Sequence, residues 1–417
     1  MTDRPFAHAR THASAILLLA VLLGHSALVQ ADQLHWEVAV ESRQFYEAAP
    51  FEQDRNSYSA SLEFEWYHAW DGGRQSVTAK PFYRLDSADS RRSHGDFREL
   101  FYSVVGNGWD VHVGARKVFW GVTEFNHLVD IVNQTDLIEN IDGEDKLGQP
   151  MVQWSLVRDW GLLDVYALVG FRERSYAGLD GRVRLPVEVL DDARFESGAE
   201  NKRVDAAIRW QGNIGPAEVG VHHFSGTSRE PLLEAVVSGG QVALLPYYPV
   251  IDQTGVDAQA LLGDWALKLE GFARSGFNNR YHAVNLGLEK TFFAVGGSLM
   301  DVGLVLEYMY DERQQEAFNT LFENDWVVGG RFQFNNYADT TLLVGYIRDA
   351  RSSEYLFSVE GSHRLSDVWQ LNMEMRGFGG SPRINAQTTV EQLLSPDYKA
   401  SWLRSEDYVQ LELRRFF

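Results

Sequence analysis

The densest concentration of chemically capable side chains lies between Trp120 and Pro150. Asp130, Asp136, Glu139, Asp142, Glu144 and Asp145 fall there among Phe125, Leu128, Val129, Ile131, Val132, Leu137, Ile138 and Ile141. No neighbouring motif turns those carboxylates into a catalyst. The chain contains no Gly-x-Ser-x-Gly, no His-Glu-x-x-His, no glycine-rich phosphate loop and no calcium-loop spacing. With no cysteine it can hold neither a disulfide nor a thiolate metal site. His222 and His223 are adjacent on an alternating run, so their rings point to opposite faces and cannot share one ion. The expectation is a non-enzymatic chain with no cofactor and no bound metal, whose charges orient solutes.

Short alternating runs must position those charges. Trp36, Val38 and Val40 alternate with Glu37, Ala39 and Glu41; Trp265, Leu267 and Leu269 alternate with Ala266, Lys268 and Glu270; Val302, Leu304 and Leu306 alternate with Gly303, Val305 and Glu307. A period of two is that of an extended strand with one apolar face. Short glycine- and asparagine-rich turns, at Asp71 to Gly73, Gly106 to Gly108, Asp159 to Gly161, Gly212 to Pro216, Gly263-Asp264, Ala294 to Ser298, Asn335 to Asp339 and Ser366-Asp367, take turns with longer polar connections. A soluble sandwich has no reason to alternate in this way. Bacterial outer-membrane barrels do, because their periplasmic turns are short and their extracellular loops long. The predicted fold is therefore all-β, one transmembrane antiparallel barrel of about eighteen strands. Charges occupy one phase of each run, and a charge facing hydrocarbon costs about 2 to 4 kcal/mol at the midplane, so that phase faces a polar lumen.

The two ends of the chain agree with this reading. Arg4 and Arg10 precede an apolar run from Ala13 to Leu23 and a small-residue site at Val29-Gln30-Ala31, which predicts a signal peptide over 1–31, cleaved after Ala31, and a single barrel domain over 32–417. No later run approaches the roughly 18 apolar residues of a spanning helix. The last strand, Tyr408 to Phe417, places Val409, Leu411, Leu413 and Phe417 on one face and Gln410, Glu412 and Arg414 on the other. It resembles the closing strand of Gram-negative outer-membrane barrels, whose terminal aromatic is read by the assembly machinery; Phe417 is the expected assembly signal. The expected partners are outer-membrane lipid and lipopolysaccharide, that machinery and a solute. Nucleic acid is excluded by the net charge of -20.

By parity, 120–148 is the third extracellular loop, and its apolar residues require something to pack on, so it is expected to fold into the lumen. Val-Gly-Ala-Arg-Lys-Val-Phe-Trp-Gly (Val113 to Gly121) followed by Val-Asp-Ile-Val-Asn (Val129 to Asn133) resembles the alginate-export-type barrels and a related uncharacterised proteobacterial outer-membrane family. The resemblance implies a large porin-type barrel with an inward loop narrowing its pore. The loop acids would then face Arg116, Arg172, Arg209, Arg274, Arg331 and Arg376 across the lumen, giving the transverse field that orients polar solutes in porin constrictions. A plainer reading makes 142–145 a solvated turn and lets the arginines balance lumen carboxylates. Glu37, Glu41, Glu63, Glu65, Glu270, Glu289, Glu307, Glu360, Glu374 and Glu412 share the inner phase with the basic residues, unlike the predominantly basic lumen that an anionic polymer such as alginate calls for. The expected function is passive passage of polar or mixed-charge solutes. The alternatives are an export conduit for a polysaccharide or lipid-like molecule and a barrel plugged by its own loops. Arg172, Arg174, Arg182 and Arg184, in the next loop, would bind lipopolysaccharide phosphates, line the mouth or face solvent. His282, on an outward phase, lacks the serine partner that a barrel lipase needs.

Overall fold

Alternation, turn chemistry and connection parity are realised in one closed meander. A computed structural model of the protein describes residues 32–51, 53–277, 279–313, 321–385, 387–393 and 395–417. The expected signal peptide lies outside the described residues. In chain order the strands are β1 (Asp32–Phe45), β2 (Asn56–Trp70), β3 (Gln75–Asp86), β4 (Gly95–Gly106), β5 (Trp109–Arg116), β6 (Gln149–Arg158) and β7 (Gly161–Val169). They continue as β8 (Arg194–Phe195), β9 (Val204–Ile214), β10 (Ala217–Thr227), β11 (Leu232–Ser238), β12 (Gln241–Tyr248), β13 (Val250–Leu262) and β14 (Trp265–Phe277). The last are β15 (Asn279–Phe292), β16 (Asp301–Asp311), β17 (Asn324–Gln333), β18 (Thr341–Asp349), β19 (Tyr355–Ser366), β20 (Trp369–Gly379) and β21 (Tyr408–Phe416).

Eighteen of these form one antiparallel sheet in which each strand pairs with the next, and β21 returns to pair with β1. That closure satisfies every edge, which a sheet in lipid requires. The remaining three, β8, β11 and β12, form a small separate sheet drawn from the connections β7 to β9 and β10 to β13. The segment between Ser225 to Pro231 and Leu245 to Pro249 is thus a hairpin. The Asp71–Gly73 turn is tight because Gly72 and Gly73 adopt φ of 66° and 84°, where a glycine carries no steric cost. Pro81, which cannot donate to the ladder, sits at a register shift between β3 and β4.

The two faces separate as the alternation predicts. Leu267, Leu304, Leu306, Val328 and Leu411 are exposed on the outer wall, where they meet lipid, while Glu270, Glu307 and Glu412 are buried inside. Outward aromatics gather at the rims, with Trp70, Trp109, Trp265 and Phe292 near the short turns and Tyr58, Tyr83, Trp326 and Tyr355 near the long loops, as membrane interfaces favour. His222 is buried in the lumen wall and His223 lies outside against Thr254, at 2.9 Å from its hydroxyl.

Closure is reinforced at its lower end. The register runs from Glu37 opposite Phe416 to Phe45 opposite Tyr408. Phe417 extends it by donating its N–H to the Trp36 carbonyl at 2.9 Å, and its ring stacks on Trp36 with centroids 3.6 Å apart. Deleting Phe417 or substituting Trp36→Ala should lower the heat-modifiable, folded fraction in outer membranes at least several-fold without reducing export from the cytoplasm. Trp36→Phe should restore most of it; equal folding of all variants on semi-native gels would show that the stack is dispensable.

Candidate functional site

The third loop, 117–148, leaves the wall after β5 and returns to it at β6, and wall side chains hold it along its length. Its two limbs are stitched together at the root by Asn133, whose amide donates to the carbonyls of Arg116 and Leu147 at 2.9 and 2.8 Å and accepts from the Val118 N–H at 2.9 Å. From there the apolar residues reach different parts of the inner wall. Trp120, Val129, Ile131 and Val132 pack on Met151, Tyr166, Leu168, Ala207, Phe224 and Ile251 of β6, β7, β9, β10 and β13. Leu128 joins Phe272 and Tyr281, and Ile141 joins Phe45 and Tyr408 on the far side. The Phe125 ring enters a hollow left by Gly329 and Gly345, which face each other across β17 and β18; a Cβ on either would crowd the ring.

Polar anchoring is stronger still. The fully buried Glu270 carboxylate accepts from the N–H groups of Val122, Thr123 and Val129 at 2.6, 2.9 and 3.3 Å, and from the Thr123 hydroxyl at 2.7 Å. Glu307 accepts from the N–H groups of Glu124 and Phe125 at 2.7 and 3.2 Å. Two inward glutamates therefore take the place of a strand partner for an irregular backbone that would otherwise be unsatisfied inside the barrel.

On the other side of the strand the loop leaves, Glu139 is gripped by β3, β4 and the connection between them. Arg84 Nη2 approaches it at 2.9 Å, His94 Nε2 at 3.0 Å and Arg98 Nη2 at 3.3 Å, and Arg84 and Arg92 are themselves paired with Glu41 at 3.1 and 2.8 Å. Although burial is the largest influence and pushes the Glu139 carboxyl up, this cationic ring outweighs it and holds the group well below the usual carboxylate range. Asp142 lies 3.3 Å from Arg376, but burial and the neighbouring Glu374 carboxylate push it up to about 7. Burial opposes charge on His127 as well, yet hydrogen bonds and attraction to Glu144 and Glu270 raise it to about 10.

The remaining expected residues fall as follows. Asp130 pairs with Lys146 at 3.1 Å, Asp136 accepts from Ser175, Glu144 meets His127 at 2.9 Å and Asp145 lies 3.7 Å from Arg98. Of the six expected arginines, Arg376 and Arg331 pair with acids of the loop, at Asp142 and Glu124, while Arg172 donates to the Gly148 carbonyl at 3.3 Å and Arg209 lies over the Trp120 ring at 5.3 Å. Arg116 donates to Gln153 at 2.5 Å, Arg172 pairs with Asp96 at 3.0 Å, Arg209 with Asp257 at 2.6 Å and Arg274 with Glu230 at 3.1 Å. The last three balance other carboxylates, and Arg116 is held by an amide. The loop's main cationic clamp, Arg84, Arg92 and Arg98, lies outside the expected set, although Arg84 stands on the inner phase of β3, opposite Tyr83 and Leu85. In the neighbouring loop, Arg182 is buried against Glu406 at 2.7 Å.

Above the loop lies a cavity of about 330 Å³, bounded by the connections β7 to β9, β10 to β11, β16 to β17 and β20 to β21. Below it the inner wall opens. Side chains of Glu65, Glu360, Arg331 and Arg414 are 45, 44, 43 and 39 % exposed, against 0 to 7 % for Glu270, Arg84 and Arg376 at loop height. Elsewhere at the rim, Glu323, Asp325 and Asp349 place carboxylate oxygens within 4.8 Å of one another, and the Lys399 ammonium contacts Glu323.

No protein-family model matches the chain, and no curated protein matches it in sequence. Solved structures do share its fold. Pseudomonas aeruginosa OccD3 (OpdP) superposes with a TM-score of 0.53 at 8% identity, covering 94% of this chain and 93% of that one. OmpT of Vibrio cholerae gives 0.44 at 9% identity over 94% of this chain and 100% of its own. A triple mutant of Rh. blastica porin gives 0.41 at 12% identity over 93% and 100%. The chain has the fold of a porin-type outer-membrane barrel.

Two predictions follow from the anchoring. Glu270→Ala strands three backbone donors, each costing about 1–3 kcal/mol when buried without a partner. Hydrogen exchange of the Val122, Thr123 and Val129 amides should accelerate about 100-fold or more, with strand amides of β6 and β14 unchanged; unaltered exchange would show that packing alone holds the loop. The second concerns pH. Because its value is raised in the folded chain, Asp142 contributes fully below its ordinary range near 3.8, and that contribution is lost as pH rises through about 7. The raised His127 contributes below about 6.5 and is lost as pH rises through about 10. Exchange of 140–145, corrected for its intrinsic pH dependence, should therefore quicken near pH 7 in the native protein and lose that step in Asp142→Asn.

Proposed function

We propose that the chain is an outer-membrane channel for passive passage of polar or mixed-charge solutes, with 120–148 as its constriction. The carrying observation is the contrast in exposure along the inner wall. Glu270, Arg84 and Arg376 are sealed at the height of the loop, whereas Glu65, Glu360 and Arg414 are open to solvent beneath it, which supports a loop that narrows the lumen at one level and leaves a wet vestibule towards the short turns. An eighteen-stranded barrel is wide enough for an aqueous path when it is not filled by side chains. Paired charges of both signs line that path: Glu65 with Lys80 at 3.2 Å, Glu289 with Lys268 at 3.3 Å, Glu360 with Arg376 at 2.6 Å and Glu37 with Arg414 at 3.5 Å. A wall so balanced favours solutes that carry charge of both signs or none over a polyanion.

The density of contacts that hold the loop favours a second reading, a barrel plugged by its own loop. Purified protein in a planar bilayer separates the two. Discrete ohmic conductance steps are expected; an absence of ion current would select the plug. Replacing the acids together, as Asp142→Asn, Glu144→Gln and Asp145→Asn, should move the reversal potential in a salt gradient towards anions. An unmoved potential would place the loop off the ion path.

A further inference from the structure

One apolar side chain of the third loop is left exposed. Val118 and Trp120 pack on the wall cluster of β6, β7, β9, β10 and β13, whereas Phe119, between them, belongs to no such cluster and is 57 % exposed. Every other large apolar side chain of 117–148 is buried or half-buried. Because the loop lies inside the barrel, that exposure is to water and not to lipid. Leaving a phenyl ring wet forfeits the free energy of its burial.

The ring is nonetheless held in place. It makes an edge-to-face contact with His127, with centroids 4.8 Å apart and planes at 84°. His127 is itself fixed, its Nε2 2.9 Å from a Glu144 carboxylate oxygen and its Nδ1 3.8 Å from Glu270. It can sit there because residue 121 is a glycine: a Cβ at Gly121, where φ is +147°, would stand 3.0 Å from Glu270 Oε1 and 3.1 Å from His127 Nδ1. Phe119 from one limb of the loop and Glu144 from the other thus converge on one imidazole. The Glu144 side chain is also 57 % exposed, and neither it nor Phe119 lines the cavity above the loop. Both are open to the rest of the lumen, which the channel reading gives to solutes.

A fixed, wet aromatic ring on a solute path is a surface for a solute to cover. Contact with an apolar face recovers the burial that the fold forgoes, and a second ring adds the offset or edge-to-face preference of aromatic pairs. We propose that Phe119 is a specificity-determining residue of the channel, favouring solutes that carry an aromatic ring over wholly polar solutes of the same charge and similar size. The inference rests on the channel reading and narrows its solute class. The charges beside the ring, on His127 and Glu144, offset each other, so the selection is for an apolar face and not for a sign.

Uptake into proteoliposomes tests this with phenylalanine and glutamine, two zwitterions of equal net charge. At low solute concentration, with barrel-free vesicles subtracted, the initial rate should be at least about threefold higher for phenylalanine. Phe119→Ala should bring the ratio close to one and leave glutamine uptake unchanged or faster, since bulk is removed from the path. Phe119→Trp should keep the ratio, each variant first shown to be folded by heat-modifiability. A ring that only braces the loop would change both rates by the same factor. That result, a native ratio near one, or a ratio that survives Phe119→Ala would overturn the inference, while ion current and glutamine uptake would keep the channel reading. Absence of current and of uptake of either solute would overturn both.

Discussion

An ionised side chain cannot face hydrocarbon cheaply, and most of this architecture follows from that constraint. It assigns the charged positions of an alternating strand to the inside, save for rim residues such as Lys290, Arg348 and Arg415, and the demand that backbone groups be paired closes the sheet on itself. Closure then collects carboxylates and guanidinium groups from eighteen strands around one lumen. At that density they are too desolvated to stand alone. The protein resolves this in two ways: by pairing neighbours along the wall, as in Arg209 with Asp257, and by lending wall carboxylates to the backbone of a loop.

The second solution gives the third loop its role. A loop without regular structure carries unpaired N–H groups, and a lumen wall carries glutamates in need of donors. Glu270 and Glu307 satisfy both needs at once. Packing contributes direction more than strength: Phe125 fits only where Gly329 and Gly345 leave room, so the loop has one seat on β17 and β18. The acids left over, Glu139 and Asp142, are met by Arg84 of β3 and Arg376 of β20, and with Phe125 on β17 and β18 the loop thereby crosses the lumen instead of lining one side.

The barrel was legible in the sequence because its determinants are local. Period-two alternation, glycine turns such as Asp71 to Gly73 and the parity of connections each need only a few adjacent residues, and they lead to the strand number and to the identity of the third loop. The pairings were not legible, because they depend on the stagger between strands. Arg84 meets Glu139 across 55 positions and Val122 meets Glu270 across 148. The phase of Arg274 correctly puts it inside, but nothing in the phase distinguishes an acid of the third loop from Glu230 of another. The glycines at 329 and 345 carried a signal in hindsight, since glycine in a strand interior marks close approach by another group.

The closing seam and the loop are coupled through shared side chains. Glu41 stands on β1, and it orients Arg84 and Arg92, which in turn hold Glu139 and the Ile138 carbonyl of the loop. Tyr408, on β21, donates to Glu374, which accepts from Asn140 of the loop at 2.9 Å. Arg43 reaches across the seam to Gln410 at 2.7 Å, in the same layer as the aromatic pair Phe45 and Tyr408 that receives Ile141. The clamp of Glu41, Arg84 and Arg92 lies on strands contiguous with β5, whereas the seat at Glu374, Arg376 and Tyr408 stands beyond the seam and is brought beside it by the pairing of β1 with β21. The seat on β6 to β14 needs no such closure. The loop thus ties β3 and β4 to β20 and β21 across the seam, and the same loop reaches β17 and β18 through Phe125.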